Sequence, residues 1–324
     1  MALSASFDFT VARSDIIPAA LRKLGVLAEG QSPSTNQTTY ASLALNIMLK
    51  SFMADGLPLW YVKTGYAYPV TGTNSVAMAG TSGGHWTEEL ILTKLTADSA
   101  ASDTTLDVSI TAADDVTGTT ANSDTIGIEL DDGTVQWTTI SSGGGTATLT
   151  IATGLTSAAS TGNRVYAYTA KTQMPEKILD VYKVNAESGS RITLLPTPIS
   201  TLQGQNQLSE SSPTTWSYAE TVNAVPGTNI GTFKFWPRWA NGDDYLEILF
   251  QHPFDDMDAD ANNLSFPPAW YEAIIYGLAL RLADEYQVTD SVYKRVGTAA
   301  QGAKEVAESA TTEGASMYVF PEHQ

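Results

Sequence analysis

The chain has 324 residues, 43% of them hydrophobic and none of them Cys, and its 17 Lys+Arg against 35 Asp+Glu give a formal net charge of −18. That is apolar material for two modest domains, or one carrying a large insertion. It excludes disulfides, thiol catalysis and zinc–thiolate sites, and argues against a protein that grips nucleic acid through its phosphates, which takes clustered Lys and Arg. The opening residues Met1-Ala2-Leu3-Ser4 show neither the basic nor the apolar region of a signal peptide. No apolar run reaches the roughly 18 residues of a membrane span. A soluble protein with no membrane contact is expected, and the lack of Cys fits assembly in a reducing cytoplasm as it fits many secreted proteins.

The first elements read as helical. Ser14 can cap a helix in which Ile17, Ala20, Leu21 and Leu24 follow the 3.6-residue period, with Pro18 tolerated in the first turn and Gly25 as terminator. Ser34 and Gln37 form a capping box for a second helix, whose stripe is Tyr40, Leu43, Ile47 and Phe52, thickened by Ala44, Met48 and Leu49. Gly56 and Pro58 end it. The short polar loop between the two predicts an antiparallel pair. From about Leu59 the period changes to two: residues 60–64 and 66–70 read as strands, and the Gly/Ser/Thr-rich stretch Thr71–Gly84 as a flexible loop.

Residues 91–170 differ in character. Short β-type runs at 105–110, 125–130, 135–140, 146–151 and 164–169 are separated by turn signals about every 10 residues, among them Asp131-Asp132-Gly133 and Ser141–Gly145. Nine acidic and three basic residues lie between Thr93 and Thr172. This block is expected to be an inserted all-β domain, sandwich or barrel-like. Strands are expected again at 177–184, 190–195, 214–222, 232–236 and 245–251. Pro267-Pro268 then opens a helix with Trp270, Ile274, Leu278 and Leu282 spaced by four, and an Ala-rich helix follows from Ser291 to about Ala310. No repeat of 20–50 residues is visible. The expected fold is α+β: a helical core of two antiparallel helix pairs with β elements (1–90 and 171–313), the inserted β domain (91–170), and a C-terminal tail (314–324). Leu21, Leu24, Leu43, Ile47, Trp270, Ile274, Leu278 and Leu282 are the expected packing residues of the helical core.

Motifs for chemistry are sparse. No phosphate-binding loop, dinucleotide fingerprint, H-E-x-x-H or G-x-S-x-G occurs, so no nucleotide or other cofactor is expected. The three histidines are His85, His252 and His323, and the first two read as loop or strand-end residues. Counted from Asp256, the run through Asp258 and Asp260 starts like a calcium loop, but Ala261 replaces the Gly of position 6 and Pro267 the Glu of position 12. Glu88 and Glu89, as neighbours on a strand, would point to opposite faces and not flank one bond. Nothing here calls for an enzyme.

Three segments carry a resemblance. Ala20-Leu-Arg-Lys-Leu-Gly-Val-Leu27, followed by Leu45-Asn46-x-Met48-Leu49 and Gly56-x-x-x-Trp60, resembles the amino-terminal region of the packaged-DNA stabilisation, or tail accessory, proteins of short-tailed phages. Phe233-Lys-Phe-Trp-Pro237 with Tyr245-Leu-Glu-Ile248 is similar to the strand, turn and strand before that family's last helix, and Phe266–Tyr286 is similar to the helix itself. Together these cover roughly 200 residues on both sides of the insertion, and their order and spacing, more than any one motif, carry the match.

The resemblance implies a structural virion protein of the neck or tail: a head-to-tail adaptor ring of about twelve copies beneath the portal protein. Such a ring extends the channel through which double-stranded DNA passes without sequence-specific binding, helps retain packaged DNA, and offers a platform to tail nozzle or fibre proteins. By itself the net charge is accounted for by solubility; on a channel wall it would also repel phosphate and let DNA slide. The apolar tetrapeptide Met317-Tyr318-Val319-Phe320 is the candidate portal contact, as anchors or an added strand. The insertion is a candidate contact to capsid or tail fibres. The alternatives are another tail structural protein, such as a tail tube or fibre-attachment protein, and a virion-associated peptidoglycan-degrading protein.

Overall fold

The computed structural model describes residues 10–54, 62–79, 84–111, 118–221, 230–240, 244–254, 256–264 and 266–311. The fold is α+β. The chain divides into two compact units, one made of both chain ends (Met1–Tyr61 and Phe254–Gln324) and one of the middle (Val62–Pro253). The chain ends supply four long helices: α1 (Arg13–Leu24) and α2 (Thr35–Ala54), then, after the middle, α4 (Tyr271–Leu282) and α5 (Asp290–Thr311). The middle begins with β1 (Val62–Tyr68), β2 (Ser75–Met78), β3 (His85–Thr87), β4 (Ile91–Lys94) and β5 (Thr105–Asp107). It continues with β6 (Thr125–Glu129), β7 (Val135–Ser142), β8 (Thr148–Ile151), β9 (Arg164–Tyr168) and β10 (Lys177–Asn185). It closes with β11 (Arg191–Thr193), β12 (Leu195–Pro196), the short α3 (Ile199–Gln203), β13 (Thr215–Thr221), β14 (Ile230–Trp236) and β15 (Asp244–Gln251).

In the helical unit, α1 starts two residues earlier than Ser14 suggests. Ala12 is the N-cap, and its N–H donates to the Asp15 carboxylate at 3.2 Å, so Ser14 lies inside the first turn. Pro18 therefore falls in the second turn, where it has no N–H to give the Ser14 carbonyl. Gly25 ends α1 in the left-handed conformation (φ 78°), donating to the Arg22 carbonyl as expected of a C-terminal Gly. The capping box of α2 forms: Ser34 N–H to Gln37 Oε1 at 2.8 Å and Gln37 N–H to Ser34 Oγ at 3.3 Å. The helix entry at 267 is a 3₁₀ turn, Pro268–Trp270, before α4.

Leu21, Leu24, Trp270, Ile274, Leu278 and Leu282 are buried in one core that all four helices share, and α4 packs against each of the other three. Leu43 and Ile47 are not in that core: they are 60% and 53% exposed, with Tyr40 at 55%. The buried face of α2 is instead Ala41, Leu45, Met48, Leu49 and Phe52. The helix is apolar on more than one side, so periodicity offers two stripes, and packing selects the one that reaches Trp270 and α4.

The middle unit holds two β structures. The first is a sandwich of a five-stranded sheet (β11-β10-β15-β1-β3) and a four-stranded sheet (β12-β13-β14-β2), which share a core of Trp86, Phe233, Phe235, Trp239, Ile248 and Phe250 among others. Every flanking strand expected between 177 and 251 is present. Two readings change. Part of the stretch read as a flexible loop, Ser75–Met78, is strand β2, because Val76 and Met78 alternate into the core opposite β14. The two strands expected at 60–64 and 66–70 are one, β1, running through Gly65. A Cβ on Gly65 would fall on the buried Trp86 indole, so the glycine is a slot for that ring and not a strand breaker.

The second structure lies within residues 91–170. Its six strands run in the order β4-β9-β6-β7-β8-β5. The first and last meet through an antiparallel bridge at Leu95 and Val108, with Thr96 N–H donating to Asp107 O and Ser109 N–H to Lys94 O at 2.9 and 3.0 Å. The sheet thus closes on itself as a small barrel, its interior filled by Leu106, Ile126, Ile128, Leu149, Ile151 and Val165 with their neighbours. The turn at Asp131-Asp132-Gly133 joins β6 to β7: Gly133 takes φ 80°, and Asp132 accepts from the Thr134 N–H at 2.9 Å.

Candidate functional site

The residues most often recruited for acid–base work are committed to packing. His85 stacks on Trp137 with ring centroids 3.7 Å apart, and its Nδ1 lies 2.7 Å from the Tyr168 hydroxyl. Burial, with help from the Lys171 charge, pushes its pKa down to about 4. Tyr68, Tyr166, Tyr168 and Tyr245 complete an aromatic cluster that joins the barrel to the five-stranded sheet. The sequence motifs gave no sign of this junction, although the tyrosines alternate along β1 and β9 at the spacing that puts them on one face.

His252 is buried, and both ring nitrogens are engaged: Nδ1 donates to the Pro253 carbonyl at 2.6 Å, and Nε2 lies 3.1 Å from Glu88. Glu88 also accepts from Lys63 Nζ at 2.7 Å and from Thr172 Oγ1 at 2.5 Å. Burial raises the Glu88 pKa, but the hydrogen bonds from Lys63 and Thr172 and the nearby positive charge outweigh it and hold the carboxyl below its usual range. Glu89 turns elsewhere and accepts from the Thr169 N–H at 2.9 Å. The two carboxylates do not converge. Glu88 and Glu89 instead tie the segment that enters the barrel (85–90) to the segment that leaves it (169–172), beside the Thr87 hydroxyl, which donates to Ala170 O at 2.8 Å.

The acidic run near Asp256 is bound to helices. Asp256 lies 3.0 Å from Lys50, and Asp260 lies 2.7 Å from Arg13, whose other nitrogen donates to Met257 O at 3.0 Å. Among the described residues no three His, Asp or Glu side chains converge as a metal site requires. Asp255, His323, Trp60 and the tetrapeptide Met317–Phe320 lie outside the described residues.

A surface groove of about 550 Å³ runs along the sandwich, lined among others by Glu176, Pro196, Trp216, Tyr218 and Glu220. Burial and the Glu176 charge raise the Glu220 pKa, and the Tyr218 hydroxyl donates to Pro175 O at 2.8 Å. The groove is open and its lining holds no histidine.

The surface feature that stands out is helical. On α2, Tyr40, Leu43 and Ile47 form one exposed apolar ridge, and no ionisable group other than the tyrosine occurs between Thr35 and Leu49. Periodicity detects this ridge and takes it for the core; its exposure follows only from the packing of the opposite face. No family model matches this chain, and no curated protein sequence matches it.

Proposed function

We propose that this chain is a structural subunit of a phage head-to-tail adaptor, acting by assembly and not by catalysis. In this reading copies form a ring beneath the portal protein, extend the DNA channel, help retain packaged DNA and receive tail nozzle or fibre proteins in the virion neck. The observation that carries the reading is the family resemblance of segments far apart in the chain, two of which share one helical core. Leu21, Leu24, Leu45, Met48 and Leu49 from the first segment and Phe266, Trp270, Ile274, Leu278 and Leu282 from the last belong to that core. A resemblance scattered over unrelated surfaces would weigh less than one gathered into a single compact unit.

The net charge of −18 suits a wall past which phosphate must slide. The ionisable side chains most suited to acid–base work, His85, His252 and Glu88, have structural partners, which fits an assembly protein.

Electron microscopy of the purified protein mixed with its portal tests the proposal. The expected outcome is a ring stacked on the portal, and weaker stacking for a chain truncated after Gly314, which lacks Met317–Phe320. Portal particles without added density would reject the adaptor reading. Unchanged stacking of the truncated chain would reject the tail as the portal contact.

A further inference from the structure

One edge of the four-stranded sheet is left partly bare, because β12 covers only the start of β13. Leu195 and Pro196 pair with Thr215 and Trp216, and the Thr197 N–H donates to Trp216 O at 2.8 Å. Pro198, which has no N–H, then turns the chain into α3. The Trp216 carbonyl thus points away from β14, and by the alternation of an antiparallel ladder the N–H and C=O of Tyr218 and Glu220 do the same. On β14 the register agrees: Phe235, opposite Trp216, turns away from β13 and donates to Asn74 O at 3.0 Å. Among the described residues no strand pairs with β13 on this side beyond Thr197. Free backbone groups on an edge strand are a template for a further strand.

The groove beside this edge is chemically marked. Pro196, Trp216 and Tyr218 give it apolar walls, and the Tyr218 hydroxyl is taken up by Pro175 O. Glu176 and Glu220 share the groove, close enough for the Glu176 charge to add to burial in raising the Glu220 pKa. All 17 Lys and Arg residues of the chain lie among the described residues, and none is bonded to either carboxylate. Lys177 lines the groove as well but pairs with neither. Two carboxylates that repel one another and have no cation of their own are complementary to a cation from outside.

An extended peptide answers the open backbone, and a basic side chain on it answers the carboxylates. A second copy of this chain is a poor match, since each copy brings a net charge of −18. The chain's own ends match no better: residues 1–9 and 312–324 hold Asp8, Glu313 and Glu322 but no Lys or Arg. We propose that the free edge of β13 receives an extended segment of a basic partner protein, whose Lys or Arg enters the groove between Glu176 and Glu220. Hydrogen bonds to the backbone of Tyr218 and Glu220 set the register of the segment, and the carboxylate pair selects the side chain. The proposal stands apart from the ring reading and does not depend on it.

Short synthetic peptides of alternating Val and Thr test it on the full chain. One carries a central Lys, one a central Glu instead, and one is the Lys peptide N-methylated at every residue, so that it cannot extend a sheet. Fluorescence anisotropy gives the affinities, and amide hydrogen exchange reads Tyr218 and Glu220. In the free chain both amides should exchange fast. The Lys peptide should slow them and bind about five- to tenfold more tightly than the Glu peptide, the scale of a few exposed charge contacts. The N-methylated peptide should not bind, and Glu176→Gln combined with Glu220→Gln should make the Lys and Glu peptides bind alike. No binding of the Lys peptide, equal affinity of the two peptides for the unsubstituted chain, or slow exchange at the two amides before any peptide is added overturns the proposal. So does self-association of the chain that protects the same amides, which would make a second copy the occupant.

Discussion

At Gly65 and His85 the side chain, or its absence, is explained by a partner distant in sequence. Gly65 leaves room for Trp86, whose indole N–H donates to Gln173 O at 2.9 Å and whose ring meets Phe250 edge-on. His85 is held neutral by burial against Trp137. Its folded pKa of about 4 lies below the ordinary histidine value of 6.5, so the folded state resists protonation more than the unfolded state does. Its neutral form stabilises the fold fully above pH 6.5, and that contribution falls as pH drops from 6.5 towards 4, where the folded imidazole also begins to titrate. The loss amounts to at most about 3 kcal/mol. Urea unfolding at pH 7 and pH 4.5 checks this. His85→Phe should lose less stability than wild type over that interval, and equal losses would mean that His85 does not contribute to the pH dependence.

Among the elements, α2 separates two kinds of hydrophobic residue that its sequence does not. Leu45 is fully buried with Met48 and Phe52, while Leu43 stands in solvent. Leu45→Ala should therefore destabilise the protein by about 2–5 kcal/mol, as cavity-forming core changes do. Leu43→Ala should stay within about 0.5 kcal/mol for a dilute, unassembled chain. Chemical denaturation of the two variants compares them directly, and a Leu43→Ala loss as large as that of Leu45→Ala would contradict the burial pattern.

The barrel carries a local device that a search for long repeats passes over. Ala100-Ala101-Ser102-Asp103-Thr104 and Ala121-Asn122-Ser123-Asp124-Thr125 form the same turn before β5 and β6. In each the Asp carboxylate accepts the N–H of the Ala three residues earlier, at 2.7 and 2.6 Å, and the Ser takes φ 74° and 75°. The carboxylate closes the turn, and this holds a non-glycine residue in a left-handed conformation that would cost energy alone. The repeated A-x-S-D-T was visible in the sequence as five residues, too short to announce a repeat.

For the molecule as a whole, the barrel belongs to the same compact unit as the sandwich. It is held there by the stem around Glu88, Glu89 and Thr172, by the aromatic cluster in which Tyr68 and Tyr245 from the sheet meet Tyr166 and Trp137 from the barrel, and by the Thr71 hydroxyl, which donates to Gly133 O at 3.3 Å. Replacing residues 91–170 by a short linker would uncover Tyr68 and Tyr245, both less than 8% exposed. The shortened protein should bind more of a dye specific for exposed apolar surface and melt at a lower temperature than the full chain. Equal dye binding and an unchanged melting temperature would show that the barrel is a freely removable decoration. The helical unit has no helix long and apolar enough to cross a membrane among its described residues.

Where strands run and where they turn was legible along the chain, because alternation, Gly, Asp and Pro act over a few residues. The strands from 105 to 169 and from 177 to 251, the α2 capping box and the Asp131-Asp132-Gly133 turn are all of this local kind. Six of the eight expected helical core residues, Leu21, Leu24, Trp270, Ile274, Leu278 and Leu282, are buried as their spacing along the chain implies. What distant contacts decided is of another kind: which of two apolar faces α2 buries, that Gly65 is a slot, that Ser75–Met78 forms a strand, and that His85, Glu88 and His252 have structural partners. Burial energy belongs to pairs of surfaces, and a stripe of residues in one segment does not specify the surface that will cover it. The composition set the acidic, cysteine-free character of the chain, but only the packed helices left Tyr40, Leu43 and Ile47 outside.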